Sequence, residues 1–251
     1  MFRAGICTRF LALALCLLAS LTVVGQSQRD AAGLTQRIEA SRRRLNEMRQ
    51  DGLIITETKF DGSVKSSETE FSAAFRRPNS FRIQIKGQAP ILTVSDGQWL
   101  WRFSERSRSY VKRQSPGRVS AHENLFGQFV PVQIGDTTLM VPIGRKLITD
   151  LKFVGLESIE TRSGQKAHCN VFETEMSPEA IGGIGQARLK MWIDINDLIT
   201  WKVETTLVPR QPAREREVKT TILILNAKFN EGLSDSFFTF VPPPDAREVQ
   251  K

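Results

Sequence analysis

The chain has 251 residues, 40% of them apolar and 25% charged, with no internal repeat and no low-complexity linker, so it can bury one sizeable core without staples. Its formal net charge of +8 fits either an anionic membrane surface as partner or ordinary solubilising charge, and does not point to nucleic acid. Two histidines, one tyrosine and three cysteines are a poor inventory for catalysis, and no enzymatic activity, cofactor or metal is expected.

Met1 to Gly25 carries Arg3 and Arg9 and then a nearly wholly apolar run, Phe10 to Val24. That run is about 15 residues, short of the roughly 20 a spanning helix needs, and reads as a secretory signal peptide cleaved near Gly25. An uncleaved anchor and lipid attachment at Cys16 are the alternatives, the second weakened by the large Leu15 before it. Cleavage removes Cys7 and Cys16 and leaves Cys169, so no internal disulfide can form, and 33 basic residues then face 27 acidic ones in a single domain over 26–251. From Gln28 to Gln50, Leu34, Ile38, Leu45 and Met48 fall near one side of a helix whose remainder carries Arg37, Arg42, Arg43, Arg44 and Arg49; Asp51-Gly52 is expected to end it. Leu53 to Phe60 and Val64 to Glu70 follow as a hairpin about Asp61-Gly62-Ser63.

Phe71 to Arg113 alternates apolar and polar residues through four segments, the pattern of an antiparallel meander. Side chains two apart share a face, which groups Phe71, Ala73 and Phe75 with Phe81, Ile83 and Ile85 and with Trp99, Trp101 and Phe103, against Arg76, Arg82, Lys86 and Arg102 on the other side. Pro78-Asn79 and Ser95-Asp96-Gly97 supply the turns. The expectation is a curved sheet with an apolar concave surface. Ser120 to Phe129 reads as a short helix grouping Leu125, Phe126 and Phe129, with a partner over Ile143 to Phe153 and an apolar connection, Val130 to Pro142, broken by Pro131, Gly135 and Pro142. Two such helices can plug the sheet or cover it as a lid.

Strands return at Val154 to Thr161, Gln165 to Glu175, Gln186 to Asp194, Leu198 to Leu207 and Glu217 to Phe229. The fold is therefore mainly β (α+β): an open, curved antiparallel half-barrel of about ten or eleven strands with an N-terminal helix and short lid helices. Charge at nearly every second position argues against a transmembrane barrel. His168 and Cys169 are neighbours on one strand and point to opposite faces, which excludes a shared metal or a nucleophile and base pair. Gly182 to Gly185 lacks a phosphate-loop lysine, and Asp194, Asn196 and Asp197 lack the downstream Gly and Glu of a calcium loop, so both read as turns.

RRPNSF (Arg76 to Phe81), ILTVSDG (Ile91 to Gly97) and WLW (Trp99 to Trp101) before Phe103, with FFTFVPPP (Phe237 to Pro244) and Asp245-Ala246 at the far end, resemble the signature of periplasmic outer-membrane lipoprotein carriers, the LolA-like family. The resemblance implies a periplasmic, non-enzymatic carrier that shelters acyl chains of lipoproteins or lipids in a half-barrel under a lid. It implies an acyl cavity containing Phe75, Phe81, Ile83, Ile85, Trp99, Trp101 and Phe103, with Phe81 handling cargo and Arg77 latching a lid that contains Leu125, Phe126 and Phe129. Implied partners are an acylated lipoprotein or lipid, an inner-membrane releasing machinery and an outer-membrane acceptor, met by a monomer in transient contact with membrane surfaces. The tail after Pro244 is shorter than in that family, and the region around Arg210 to Glu217 is unfamiliar in it. The alternative on the same fold is a lipid-responsive regulatory or interaction domain.

Overall fold

A computed structural model describes residues 33, 36–38, 40–41, 44–115, 129–134, 137–142, 152–161, 164, 166–176, 185–210 and 216–249. One meander comprises β1 (Glu47–Phe60), β2 (Ser63–Arg76), β3 (Ser80–Ile85), β4 (Ile91–Asp96), β5 (Trp99–Ser104) and β6 (Ser109–Gln114). After a hairpin of β7 (Phe129–Ile134) and β8 (Thr137–Pro142), a second meander comprises β9 (Lys152–Glu160), β10 (Lys166–Met176), β11 (Gly185–Asp194), β12 (Thr200–Pro209) and β13 (Arg216–Phe229). A 3-10 turn, Asp235–Phe238, and the two-residue β14 (Arg247–Glu248) complete it.

The long strands β1 and β13 pair over thirteen positions and join the two meanders into one 12-stranded sheet, ordered β14-β6-β5-β4-β3-β2-β1-β13-β12-β11-β10-β9. It is curved and open, mostly antiparallel, with few helical residues among those described: the half-barrel architecture expected, with one strand more. Only β14 runs parallel to its neighbour, β6, whose edge it covers.

Three expectations change. The N-terminal helix is seen at Gln36 to Ile38 and at Ala40 and Ser41, but Glu47 to Gln50 already belong to β1. Met48 and Gln50 alternate in burial with Arg49, and ladders to β2 on one side and β13 on the other decide the conformation against helical periodicity. Asp51-Gly52, read as a helix stop, lies within β1 at a register shift against β13. The connection Val130 to Pro142 is the β7–β8 hairpin, a separate two-stranded sheet. Of the expected lid helices, Phe129 opens β7 and Lys152 and Phe153 belong to β9, while Leu125, Phe126 and the rest of both segments lie outside the described residues.

Residues paired across a ladder point to the same side of a sheet, so the registers define two faces. On one, which we call the helix face because buried Ile38 packs there, Ile54, Phe71, Phe172, Leu189, Met191, Val203, Leu207, Val218, Ile222 and Ile224 form the main core. The other face holds two smaller clusters, one around Cys169, Val171 and Trp192, the second around Val94, Phe103 and Phe240.

Candidate functional site

The registers divide the aromatic set that the sequence grouped together. Phe71, Ala73 and Phe75 stand opposite Ile85, Ile83 and Phe81 on β2 and β3, and these continue into Ile91, Thr93 and Ser95 on β4. Ser95 then pairs with Leu100 and Thr93 with Arg102, so Leu100 and Arg102 share the helix face with Phe81 and Ile83. Trp101 instead pairs with Val94, which pairs with Arg82. Trp99, Trp101 and Phe103 are therefore on the opposite face from Phe75, Phe81, Ile83 and Ile85, and Arg102 is not on the side of Arg76 and Arg82. The turn is the physical reason. Gly97 and Gln98 connect β4 to β5 with only two residues, and a two-residue turn sets an even position opposite an odd one.

The face expected to be solvated is covered by the C-terminal segment. Arg76 donates from Nη1 to the Leu233 carbonyl at 3.0 Å, pairs with Asp235 at 2.7 Å and lies 4.7 Å over the Phe238 ring. Arg49 and Arg82 lie 5.8 and 5.7 Å over the Phe237 ring, and half-burial there lowers the Arg82 pKa. Phe240 then packs at 6.2, 5.8 and 5.9 Å on the rings of Trp101, Phe103 and Tyr110. Beyond the prolines, Arg108 holds Asp245 through both carboxylate oxygens, raising its own pKa and lowering that of Asp245, and β14 docks on β6. The FFTFVPPP motif thus seats on arginines and aromatics of the first meander.

The first two motif pieces also meet. Asn79 Nδ2 donates to the Gly97 carbonyl at 2.8 Å, and buried Ser95 donates its hydroxyl to the Asn79 carbonyl at 3.2 Å and shares a hydrogen bond with Ser115 at 2.9 Å. Gly97 has φ +97°, and a Cβ there would come within 2.7 Å of Asn79 Oδ1, so glycine is required. Immediately before Asn79 the Arg77-Pro78 peptide is cis, and Arg77 donates its backbone N–H to the Asn46 carbonyl at 2.9 Å and its Nε to the Leu45 carbonyl at 2.8 Å. Arg77 thus reaches the strand-entry segment before β1; the contact expected near Leu125 lies outside the described residues.

On the helix face the ladders arrange three transverse rows. Ile54, Ile222, Val203, Met191 and Phe172 form one, and Thr58, Val218, Leu207, Ala187 and Met176 another. Between them run Thr56, Thr220, Thr205, Leu189 and Thr174. None of these fifteen side chains is charged. Two buried donors on β12, the Thr205 hydroxyl and the Trp201 indole N–H, have no hydrogen-bond partner among the described residues. Trp201 also borders a groove of about 850 Å³ shared with Gly52, Phe71 and Ala227. The threonines escaped the sequence reading because they satisfy strand alternation as well as valine would; their signal was the recurrence of Thr at matching depth in β1, β12 and β13.

The remaining candidates resolve into structure. Cys169 is fully buried, and desolvation pushes its thiol up to about 12, while His168 on the next position is exposed and bonds Ser158 at 3.0 Å. Asp194 accepts the N–H groups of Asn196 and Asp197 at 2.7 and 3.2 Å, and Asp197 that of Ile199 at 2.8 Å, which accounts for these carboxylates as a turn. Trp192 donates Nε1 to Glu157 at 2.7 Å while the ammonium groups of Lys190 and Lys202 lie 4.6 and 4.2 Å over its ring.

Among solved structures, the chain is similar to a LolA superfamily protein from Nitrosomonas europaea, with 13% identity and a TM-score of 0.34 over 84% of this chain and 97% of that one. It is similar also to a DUF1329 family protein from Desulfovibrio piger, with 13% identity and a TM-score of 0.37 over 85% and 97%. At such scores the likeness carries no argument of its own. An uncharacterised protein of Methanocaldococcus jannaschii is 23% identical over 242 residues, which is 95% of this chain but only 60% of the length of that relative. A family model described as predicted periplasmic protein matches residues 57–250, which takes in all but the first ten residues of the sheet, and the chain belongs to that family, DUF2092.

Proposed function

We propose that the protein is a periplasmic carrier that shelters the acyl chains of lipoproteins or lipids on the helix face of its sheet. The observation that carries this reading is the set of three uncharged rows across β10 to β13 and β1, continued by Phe71, Phe75, Phe81, Ile83 and Ile85: a contiguous, predominantly apolar face that spans both meanders. Burying about ten methylenes is worth roughly 8 kcal/mol, or about micromolar affinity before ordering costs, which suits a cargo that must be handed on. Phe75, Phe81, Ile83 and Ile85 are retained as cavity residues in this proposal. Trp99, Trp101 and Phe103, packed with or beside Phe240 on the far face, are not. Arg77, tied to the Leu45 carbonyl, would couple movement of the N-terminal segment to that of the sheet corner.

Native mass spectrometry of the protein isolated from its own periplasm tests the reading. Co-purified acyl species are expected, and Ile83→Asp, which sets a charge on the helix face, should remove them while Lys112→Asp on the far face should not. A folded protein that never carries or takes up acyl chains would overturn the proposal, and a stoichiometric protein partner in their place would favour the regulatory alternative.

A further inference from the structure

The middle row of the helix face differs from its neighbours in a way that sheltering hydrocarbon does not require. Thr56, Thr220 and Thr205 stand directly opposite one another on β1, β13 and β12, at 8%, 3% and 2% exposure, between Ile54, Ile222 and Val203 on one side and Thr58, Val218 and Leu207 on the other. Directly opposed Cβ atoms lie about 5 Å apart, so the three hydroxyls form a line roughly 10 Å long across the strands. Valine would give the same β-branched shape and the same fit to a pleated surface without bringing an oxygen into the core. The Thr205 hydroxyl in particular is kept from water and has no hydrogen-bond partner among the described residues, a state that opposes folding unless some other group supplies one. No cation in the three rows could receive an anion there.

We propose that this hydroxyl row is where the polar end of the cargo is read: it donates to the uncharged ester or amide carbonyl by which an acyl chain is attached, with the hydrocarbon lying along the flanking apolar rows. A free fatty-acid carboxylate, which would have to be desolvated without a counter-ion, is disfavoured at the same place. Attached acyl chains, rather than free fatty acids, are then the ligand class. This rests on the carrier reading above, and adds to it a chemical preference that the reading does not contain.

The test compares three probes on the whole mature protein: monopalmitin, its ether counterpart hexadecylglycerol, which lacks the carbonyl, and palmitate at neutral pH. Affinities are read by displacement of a fluorescent acyl reporter. The parent should bind the ester about three- to tenfold more tightly than the ether, the worth of one net hydrogen bond, and palmitate no better than the ether. Thr205→Val and Thr220→Val together should make ester and ether equal while leaving the ether unchanged, and Thr205→Ser, which keeps the hydroxyl, should preserve the preference. Equal binding of ester and ether by the parent, or a preference that survives the double valine variant, overturns the hydroxyl row and leaves the carrier reading intact. Failure of all three probes to bind overturns both. A Thr205→Val protein that does not fold also overturns the inference, because removing an unpartnered buried hydroxyl without changing side-chain shape should be neutral or stabilising.

Discussion

Replacing Phe240 by alanine tests whether the far face is a packed seat for the C-terminal segment and separate from the cargo face. The ring is 9% exposed and meets three aromatic rings at centroid distances between 5.8 and 6.2 Å. Truncating a buried Phe ordinarily costs about 3–5 kcal/mol, and because this one lies on a terminal segment that can settle into the space, the lower end, about 3 kcal/mol, is expected. For a chain of this size that corresponds to a fall of roughly 6–12 °C in Tm. Calorimetry of parent and variant gives the number, and limited proteolysis should show cleavage beyond Phe229 appearing first, since Phe240 anchors Val241 to Ala246 ahead of β14. Acyl-probe affinity should not change, because Phe240 and Phe81 are on opposite sides of the sheet. A Tm within about a degree of the parent would refute the packing argument. A folded variant of unchanged Tm that no longer binds acyl probes would refute the assignment of faces.

Gly52→Ala should destabilise by roughly 3 kcal/mol in a urea titration, because the new Cβ would come within 2.7 Å of the Phe71 ring and press on the Leu223 carbonyl; a loss below about 0.5 kcal/mol would mean the bulge is not tight. Glu157 has its pKa lowered below the ordinary 4.5 chiefly by the hydrogen bond from Trp192, then by Lys190 and Lys202. A depressed carboxylate contributes stability that is present above that ordinary value and lost as pH falls through the folded one, so Glu157→Gln should flatten the acid limb of the stability curve; superimposable curves from pH 7 down would contradict this. Arg77→Leu removes the Nε donor to Leu45 and should raise hydrogen exchange across 44–46 with the far-UV spectrum unchanged, whereas unchanged exchange would leave Arg77 without a tethering role.

The strands of the second meander were legible to within two residues, because β10, β11 and β12 run for ten or eleven residues with apolar positions recurring mostly at every second one. The first meander was legible as strands, although Val64 to Glu70 and Phe71 to Phe75, read as separate segments, form the single strand β2; its faces were not legible. Alternation fixes sidedness only within a strand, and carrying it from Ile85 to Trp99 required the number of residues in each turn, which composition does not reveal: the β3–β4 connection keeps odd opposite odd, and the β4–β5 connection does not. The stretch before Asp51 misled for a different reason. Leu45 and Met48 fit a helical stripe, and only the two ladders that flank β1 make Met48 a strand residue. Arg76 and Arg82 read as solvent-facing charge because nothing local to them announces the phenylalanines more than 150 positions away that they cover. The hydroxyl row, likewise, exists only once three distant strands are set side by side.

The two-residue turn between β4 and β5 also bears on how this chain can vary. Because apolar partners wait on both sides of the first meander, inserting or deleting a single residue at Gly97-Gln98 would not merely loosen a loop; it would hand Trp101 and Phe103 to the helix face and thrust Leu100 and Arg102 under Phe240, burying a guanidinium among aromatic rings. Length change at this corner is therefore forbidden in steps of one and tolerable only in steps of two, whereas the connection from Ile85 to Ile91, already five residues long and exposed over Lys86 to Ala89, has far more freedom to drift.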